Sequence, residues 1–183
     1  PNWREFVVFQ QATARIGAAY LLMIPQLRGA DVEYVLGISG AVAVVVPDEY
    51  RGFAYQPMLD ELRPRLPKLR HVFVAGKATG SSTEIDAFLA EDWESRHGVQ
   101  VDALEIDPDA VRQIVFTSGT EARPKGVCHS YNTSFYPLYL HREYFGLGPD
   151  DAIFTCSTVG HGTGAQFGVE LGLFLGGKVV LQE

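Results

Sequence analysis

The sequence predicts an α/β fold, a mainly parallel sheet flanked by helices and divided into two lobes. Segments with apolar residues at helical spacing alternate with short apolar and β-branched runs, the pattern of parallel strands joined by helices. Prolines and glycines fall between these segments and punctuate them. The 183-residue chain is 46% hydrophobic and 20% charged with a mean hydropathy of +0.02, enough apolar material for a core and too little charge for a disordered chain.

Residues 3–14 place Phe6, Val7, Phe9 and Ala12 on or near one helical face, and Gly17 ends that helix. AAYLLMI reads as a buried strand closed by Pro25. ADVEYVLGIS reads as a short helix and AVAVVV as a strand of largely β-branched residues. Residues 57–66 predict a helix stopped by Pro64 and Pro67. HVFVA predicts a strand, GKATGSSTE a polar loop, and residues 83–92 another helix. Residues 101–109 look like a connector, so the lobes are expected at 1–105 and 106–183. In the second lobe RQIVFTS and KGVCHSY read as strands flanking a loop. An aromatic-rich helix over 133–145, with Pro137 near its start, is followed by a strand DAIFTCS, a buried helix GAQFGVELGLFL and a last strand KVVLQ.

The formal net charge is −7, which repels a nucleic-acid backbone at long range and argues against a nucleic-acid partner. Cys128 and Cys156 have no metal or redox spacing, so free thiols in a reducing, cytoplasmic setting are expected. No apolar run reaches the length of a membrane span. Asn132-Thr133-Ser134 forms a glycosylation sequon without a secretory signal and is taken as accidental. The opening on Pro1-Asn2-Trp3 and the closing strand KVVLQE suggest an internal segment of a longer protein.

The stretch most informative about function is FTSGTEARPKG at 116–126. A P-loop needs glycine before its lysine and a hydroxyl residue after it. Here Pro124 precedes Lys125 and Gly126 follows, and Pro124 lacks a backbone N–H. The composition still suits an anion. Thr117, Ser118 and Thr120 carry hydroxyls, Gly119 permits close backbone approach, and Lys125 brings a mobile positive charge. Composition alone leaves a polar β-hairpin turn equally open.

The order of residues resembles the phosphate-binding signature of the adenylate-forming superfamily, T-S-G-T-T-G-x-P-K-G-V. Thr117, Ser118, Gly119, Thr120, Pro124, Lys125, Gly126 and Val127 match, while Glu121 and Ala122 depart from it. The resemblance runs over essentially the whole chain, from Pro1-Asn2-Trp3 through ATARIGAAYLLMIPQLRGADVEYVL to CSTVGHGTGAQFGVELGLFLGGKVVL, and is nearest to acyl-CoA synthetases for medium-chain or cyclic acids. It implies part of the large N-terminal domain of a ligase using ATP with Mg2+, a small carboxylic acid and coenzyme A. An acyl-adenylate forms first and a thioester second. It further implies that the ATP phosphates are bound by Thr117, Ser118, Gly119, Thr120, Lys125 and Gly126, with Lys125 and His161 serving catalysis, and His161 near the acyl and adenylate groups. The downstream motifs of such enzymes, including those for adenine, ribose and magnesium and the small C-terminal domain, are not in this sequence. The segment is therefore expected to be inactive without the remainder of the parent enzyme.

Two rivals stand beside this. Gly160, His161, Gly162, Thr163, Gly164 and Ala165 fit G-x-G-x-x-A between a strand and a helix, and Glu183 ends the next strand, so an NAD(P)-type dinucleotide-binding unit is an alternative. A degenerate, non-catalytic homologue is another, because the Glu121 carboxylate beside polyphosphate is unfavourable unless it faces solvent or pairs with Arg123. Other candidates are weaker. Cys128 and His129 face opposite sides of a strand and form no dyad. Cys156 with His161 is too small a ligand set for zinc. His141-Arg142-Glu143 reads as a solvated helix end, and Tyr131, Phe135, Tyr136 and Tyr139 as core or pocket wall.

Overall fold

A computed structural model describes residues 1–117 and 123–182. The first helix, α1, spans Arg4–Arg15, and the first strand, β1, spans Tyr20–Leu22. Helix α2 (Gly29–Ser39) ends at Gly40, whose φ of 64° is the left-handed cap that glycine adopts without penalty. Strand β2 (Ala43–Pro47) leads into a two-stranded hairpin, β3 (Glu49–Tyr50) and β4 (Phe53–Ala54), that the sequence reading did not anticipate. Its turn holds Arg51 at φ 50° and Gly52 at φ 76°, the two positive values that suit a tight hairpin. Helix α3 (Tyr55–Leu62) tightens into a 3-10 turn at Arg63–Arg65, where Pro64 removes a helical donor.

Strand β5 (His71–Ala75) lies where it is predicted. The helix expected over 83–92 is split. Thr83–Glu84 form a short strand, β6, parallel to β5, before helix α4 (Ile85–Leu89) begins. Helix α5 (Trp93–Asp102) then fills a stretch to which the sequence assigned no element and reaches into the expected connector, started by the Asp92 carboxylate accepting from the Ser95 N–H at 3.2 Å.

Strands β7 (Val111–Phe116) and β8 (Gly126–Ser130) flank the glycine-rich loop as predicted. Helix α6 (Tyr131–Phe145) starts two residues before the predicted 133, because Ser130 and Thr133 form a reciprocal capping box. Pro137 is consequently inside the helix and not near its start. Strand β9 (Ala152–Thr155) is followed by a π-helix, Thr163–Glu170, that runs directly into helix α7 (Leu171–Leu175) and strand β10 (Lys178–Leu181).

Parallel pairing dominates, as the alternating pattern requires. β1 pairs with β7, β2 with β5, β5 with β6, and β9 with β10, while β7–β8 and β3–β4 are antiparallel. Two compact units result, Pro1–Pro25 together with Ala103–Glu183, and Gln26–Asp102. They follow strand pairing and not chain order, since β1 lies beside β7 with Leu21 opposite Ile114, whereas the sequence suggested consecutive lobes 1–105 and 106–183. Among the described residues no helix is long and apolar enough to cross a membrane. Both cysteines are free and exposed.

The core of the first unit gathers Tyr20, Leu22 and Ala165 against Phe6 and Val115, with a second cluster of Leu138, Leu171 and Leu175. The second unit buries Val35, Leu36, Val44, Leu59, Leu62, Val72, Val74 and Ile85, the inward faces of β2 and β5 and of helices α2, α3 and α4. Leu59 is 1% exposed and Val99 on α5 is 86% exposed. Leu59→Ala is expected to cost about 2–5 kcal/mol through lost burial and a residual cavity. Val99→Ala should stay within about 0.5 kcal/mol. Urea unfolding of both variants checks this, and equal losses would contradict the assigned core.

Candidate functional site

The β7–β8 hairpin frames the candidate site. Val115 stands opposite Val127 and Phe116 opposite Gly126. Beyond that register the Thr117 N–H donates to the Lys125 carbonyl at 3.0 Å, and the Lys125 N–H donates to Thr117 Oγ1 at 3.3 Å. Thr117 and Lys125 thereby close the neck of the loop. The Thr117 hydroxyl, read from the sequence as a donor to phosphate, is engaged across that neck. Lys125 is exposed, and among the described residues no ion pair engages its ammonium. A Cβ on Gly126 would lie 3.2 Å from Ile114 Cγ2 and 3.3 Å from Phe116 Cζ, so glycine lets these two side chains cover the strand there. Ser118, Gly119 and Thr120 lie outside the described residues, as do Glu121 and its expected pairing with Arg123.

His161 sits in the turn between β9 and the π-helix. Its N–H donates to the Thr158 carbonyl at 3.1 Å, and its carbonyl accepts from the Ala165 N–H at 3.0 Å. Its Nδ1 accepts from the Thr163 N–H at 3.3 Å, which leaves the proton of a neutral ring on Nε2. The ring is exposed, so this bond fixes its orientation without burying it.

Two of the three glycines around His161, Gly160 and Gly164, are explained by packing. A Cβ on Gly160 would collide with the Met23 carbonyl oxygen, and one on Gly164 with the Thr158 carbonyl oxygen, whereas one on Gly162 would meet nothing within 4 Å. N–H groups of the same turn are engaged by protein acceptors. Gly160 donates to Thr158 Oγ1 at 3.3 Å, and Val159 donates to Asn2 Oδ1 at 2.8 Å. A dinucleotide fingerprint needs such donors turned toward a pyrophosphate. Asn2 also donates through Nδ2 to the carbonyls of Ser157 at 3.0 Å and Gln182 at 2.8 Å, holding the turn to the beginning of the chain and to the end of β10.

Beneath the hairpin lies a polar cluster that the sequence reading missed. Arg112 on β7 and Glu170 at the end of the π-helix form an ion pair, with side chains 1% and 2% exposed. Tyr20 donates its hydroxyl to Glu170 Oε1 at 3.3 Å and receives Gln10 Nε2 at 3.0 Å. Burial, reinforced by the Glu170 carboxylate, drives the Tyr20 phenol above its ordinary range, so it stays protonated as the donor. The guanidinium carbon of Arg112 stands 4.9 Å from the Phe135 ring centre, 5.4 Å from that of Tyr20 and 5.5 Å from that of Tyr131. A signal existed. Arg112 is the lone charged side chain in VRQIVF, and Glu170 the lone carboxylate in GAQFGVELGLFL.

The aromatic residues of α6, expected as core or pocket wall, divide by face. Phe135, itself partly open to solvent, and Tyr131 flank Arg112, while Tyr136 and Tyr139 are more exposed because the buried face runs through Ser134 and Leu138. His141 is not simply solvated, since its Nδ1 lies 2.8 Å from the Pro137 carbonyl oxygen and its ring lies over Phe167. Among the described residues no group of three or more His, Cys, Asp or Glu could hold a metal ion.

The whole of this chain, residues 1–183, matches a family described as AMP-binding enzyme. The chain is 34% identical over 182 residues to Triostin synthetase I of Streptomyces triostinicus, covering 99% of this chain and 32% of that protein. It is 32% identical over 189 residues to 2-hydroxy-7-methoxy-5-methyl-1-naphthoate–CoA ligase of Streptomyces carzinostaticus, covering 99% of this chain and 33% of that one. Among solved structures, apo MbtA of Mycobacterium smegmatis matches with a TM-score of 0.80 at 25% identity, over 100% of this chain and 33% of that chain. The chain thus spans about a third of the length of the curated relatives it matches.

Gly160→Ala and Gly164→Ala are each expected to cost about 1–3 kcal/mol by forcing backbone apart, and Gly162→Ala far less. Urea unfolding of the three variants checks this. Equal, small effects would mean that the glycines are kept for something other than packing.

Proposed function

This chain belongs to the AMP-binding enzyme family, and on that premise we propose that it is the part of a longer ATP-dependent carboxylic acid–CoA ligase that holds the ATP phosphates and lines part of the acyl pocket. The observation that carries the proposal is the hairpin neck. Thr117 and Lys125 are tied to each other at the end of the β7–β8 hairpin, with the lysine exposed.

In the proposed reaction a carboxylate oxygen attacks the α-phosphorus of ATP, the bond to the bridging oxygen breaks, and pyrophosphate leaves. The thiol of coenzyme A then attacks the acyl carbon, and AMP leaves as the thioester forms. Charge grows on the pyrophosphate in the first step. The loop can meet it with the Lys125 ammonium, the hydroxyls of Ser118 and Thr120, and N–H groups around Gly119 and Gly126. Thr117 acts by keeping the neck closed. His161, held by Thr163 and Thr158, serves the acyl and adenylate side with its Nε2–H. Magnesium bound to the polyphosphate would offset its negative charge, and among the described residues no group of three or more His, Cys, Asp or Glu could hold it.

A cyclic or aromatic carboxylic acid is the proposed substrate class, supported by the naphthoate named for one relative. The cytosol, where Cys128 and Cys156 remain thiols, is the proposed location. The geometry weighs against the dinucleotide alternative at residues 160–165, because Gly160 and Gly164 answer backbone contacts and the N–H groups of Gly160, His161 and Ala165 are engaged within the turn.

Acid-dependent ATP–pyrophosphate exchange tests the proposal. In the full-length ligase, Lys125→Ala is expected to lower exchange by about 10²-fold while thermal unfolding is little changed, and Thr120→Ala should move the same way. Exchange at the wild-type level in both variants would remove the loop from the reaction. The 183-residue segment alone is expected to show no acid-dependent exchange. Robust exchange by it would overturn the assignment of the remaining steps to residues elsewhere in the enzyme.

A further inference from the structure

We propose that Arg112 and Glu170 are a positioning pair that holds the neck of the hairpin, Thr117 and Lys125, and His161 in one fixed geometry, a role that rests on the ligase function proposed above. The pair touches both parts of that site through rigid elements. Arg112 lies on β7, the strand that leads directly to Thr117. Its guanidinium also stacks near Tyr131, the first residue of α6 and the one immediately after β8. One cation therefore engages both β7 and the residue that follows β8. At the other end, Glu170 closes the π-helix whose first turn holds His161 through Thr163 and Ala165. Tyr20 bonds to the same Glu170 oxygen from β1, the strand paired with β7, and Gln10 bonds to Tyr20 from α1.

Stability is a poor reason for this arrangement. Two charges this deeply buried lose several kcal/mol of hydration each, and apolar replacements of similar volume are often neutral or stabilising. The pair is also not fully satisfied. Among the described residues Arg112 Nε and Nη1 and Glu170 Oε2 have no hydrogen-bond partner. What an ion pair supplies that apolar side chains do not is direction. The bond is formed only when β7 and the π-helix stand at one separation and angle, and a chemical step that joins an acid to ATP needs that registry between its two halves.

The test uses the full-length ligase with Glu170→Gln and with the double replacement Arg112→Met/Glu170→Leu, each in the presence of Lys125 and of Lys125→Ala. The readouts are kcat and KM for ATP and for the acid in the exchange reaction, with thermal unfolding alongside. A positioning role predicts that kcat falls about 10- to 100-fold in variants that fold, while both KM values change far less. It also predicts non-additivity, with much of that loss vanishing in the Lys125→Ala background, since the loop contribution is already gone. Folded variants with wild-type kcat, or losses fully additive with Lys125→Ala, overturn the positioning role and leave the ligase function intact. If the wild-type enzyme shows no acid-dependent exchange, the ligase function itself fails and this role fails with it. Should neither variant fold, the pair is a stability element and the proposal is overturned.

Discussion

Arg112 and Glu170 form the contact around which the first unit is organised. A guanidinium and a carboxylate removed from water are tolerated only if each answers the other and the surroundings are polarisable. Here three aromatic rings flank the cation, and a phenol that remains protonated donates to the anion. Meeting those conditions brings together side chains from α1, β1, β7, the start of α6 and the end of the π-helix. Leu22 and Ala165 pack with Tyr20, the residue that bonds to Glu170, against Phe6 and Val115.

The glycines extend the same logic to the second edge of the unit. Gly164, Gly168 and Gly172 recur every fourth residue. Side chains there would strike, respectively, the Thr158 carbonyl oxygen, the Thr155 side chain and Val179. Their absence lets the helical segment lie directly on β9 and β10, and Gly160 lets the preceding turn rest on the backbone that leaves β1. Asn2 then ties that turn to both chain segments through its amide. Close approach, not ligand access, accounts for this glycine pattern, and the same pattern in a sequence is easily taken for a nucleotide fingerprint.

A chain of net charge −7 is a poor long-range attractor of polyphosphate. An anion site in such a protein has to rest on local donors held in place before the anion arrives. In the proposed function the backbone-tied neck between Thr117 and Lys125 provides that preorganisation, and the buried pair below carries it to the acyl side. The chain is about a third as long as its curated relatives, which fits a division in which other residues supply adenine, ribose and acceptor-thiol contacts.

Much of the fold was legible in the sequence. Strands β5, β7 and β8 and helices α1, α2 and α6 were located from runs and periods that are local properties of the chain. Where local patterns misled, a tertiary partner or a cap decided. Thr83 and Glu84 became a strand because β5 lay open beside them, and α5 started from the Asp92 carboxylate in a stretch with no apolar face. Of the candidate site, the hydroxyl-and-glycine loop, its lysine and the histidine turn were all visible, since each is a cluster of neighbours in the chain. The sequence by itself determined the alternation of most strands and helices and the residue types that the loop offers. Only the tertiary structure decided that β1 pairs with β7, that Asn2 reaches Gln182, and that Arg112 meets Glu170. Each of these contacts joins residues far apart along the chain, and which partner a buried polar group finds is set by the packing of whole elements.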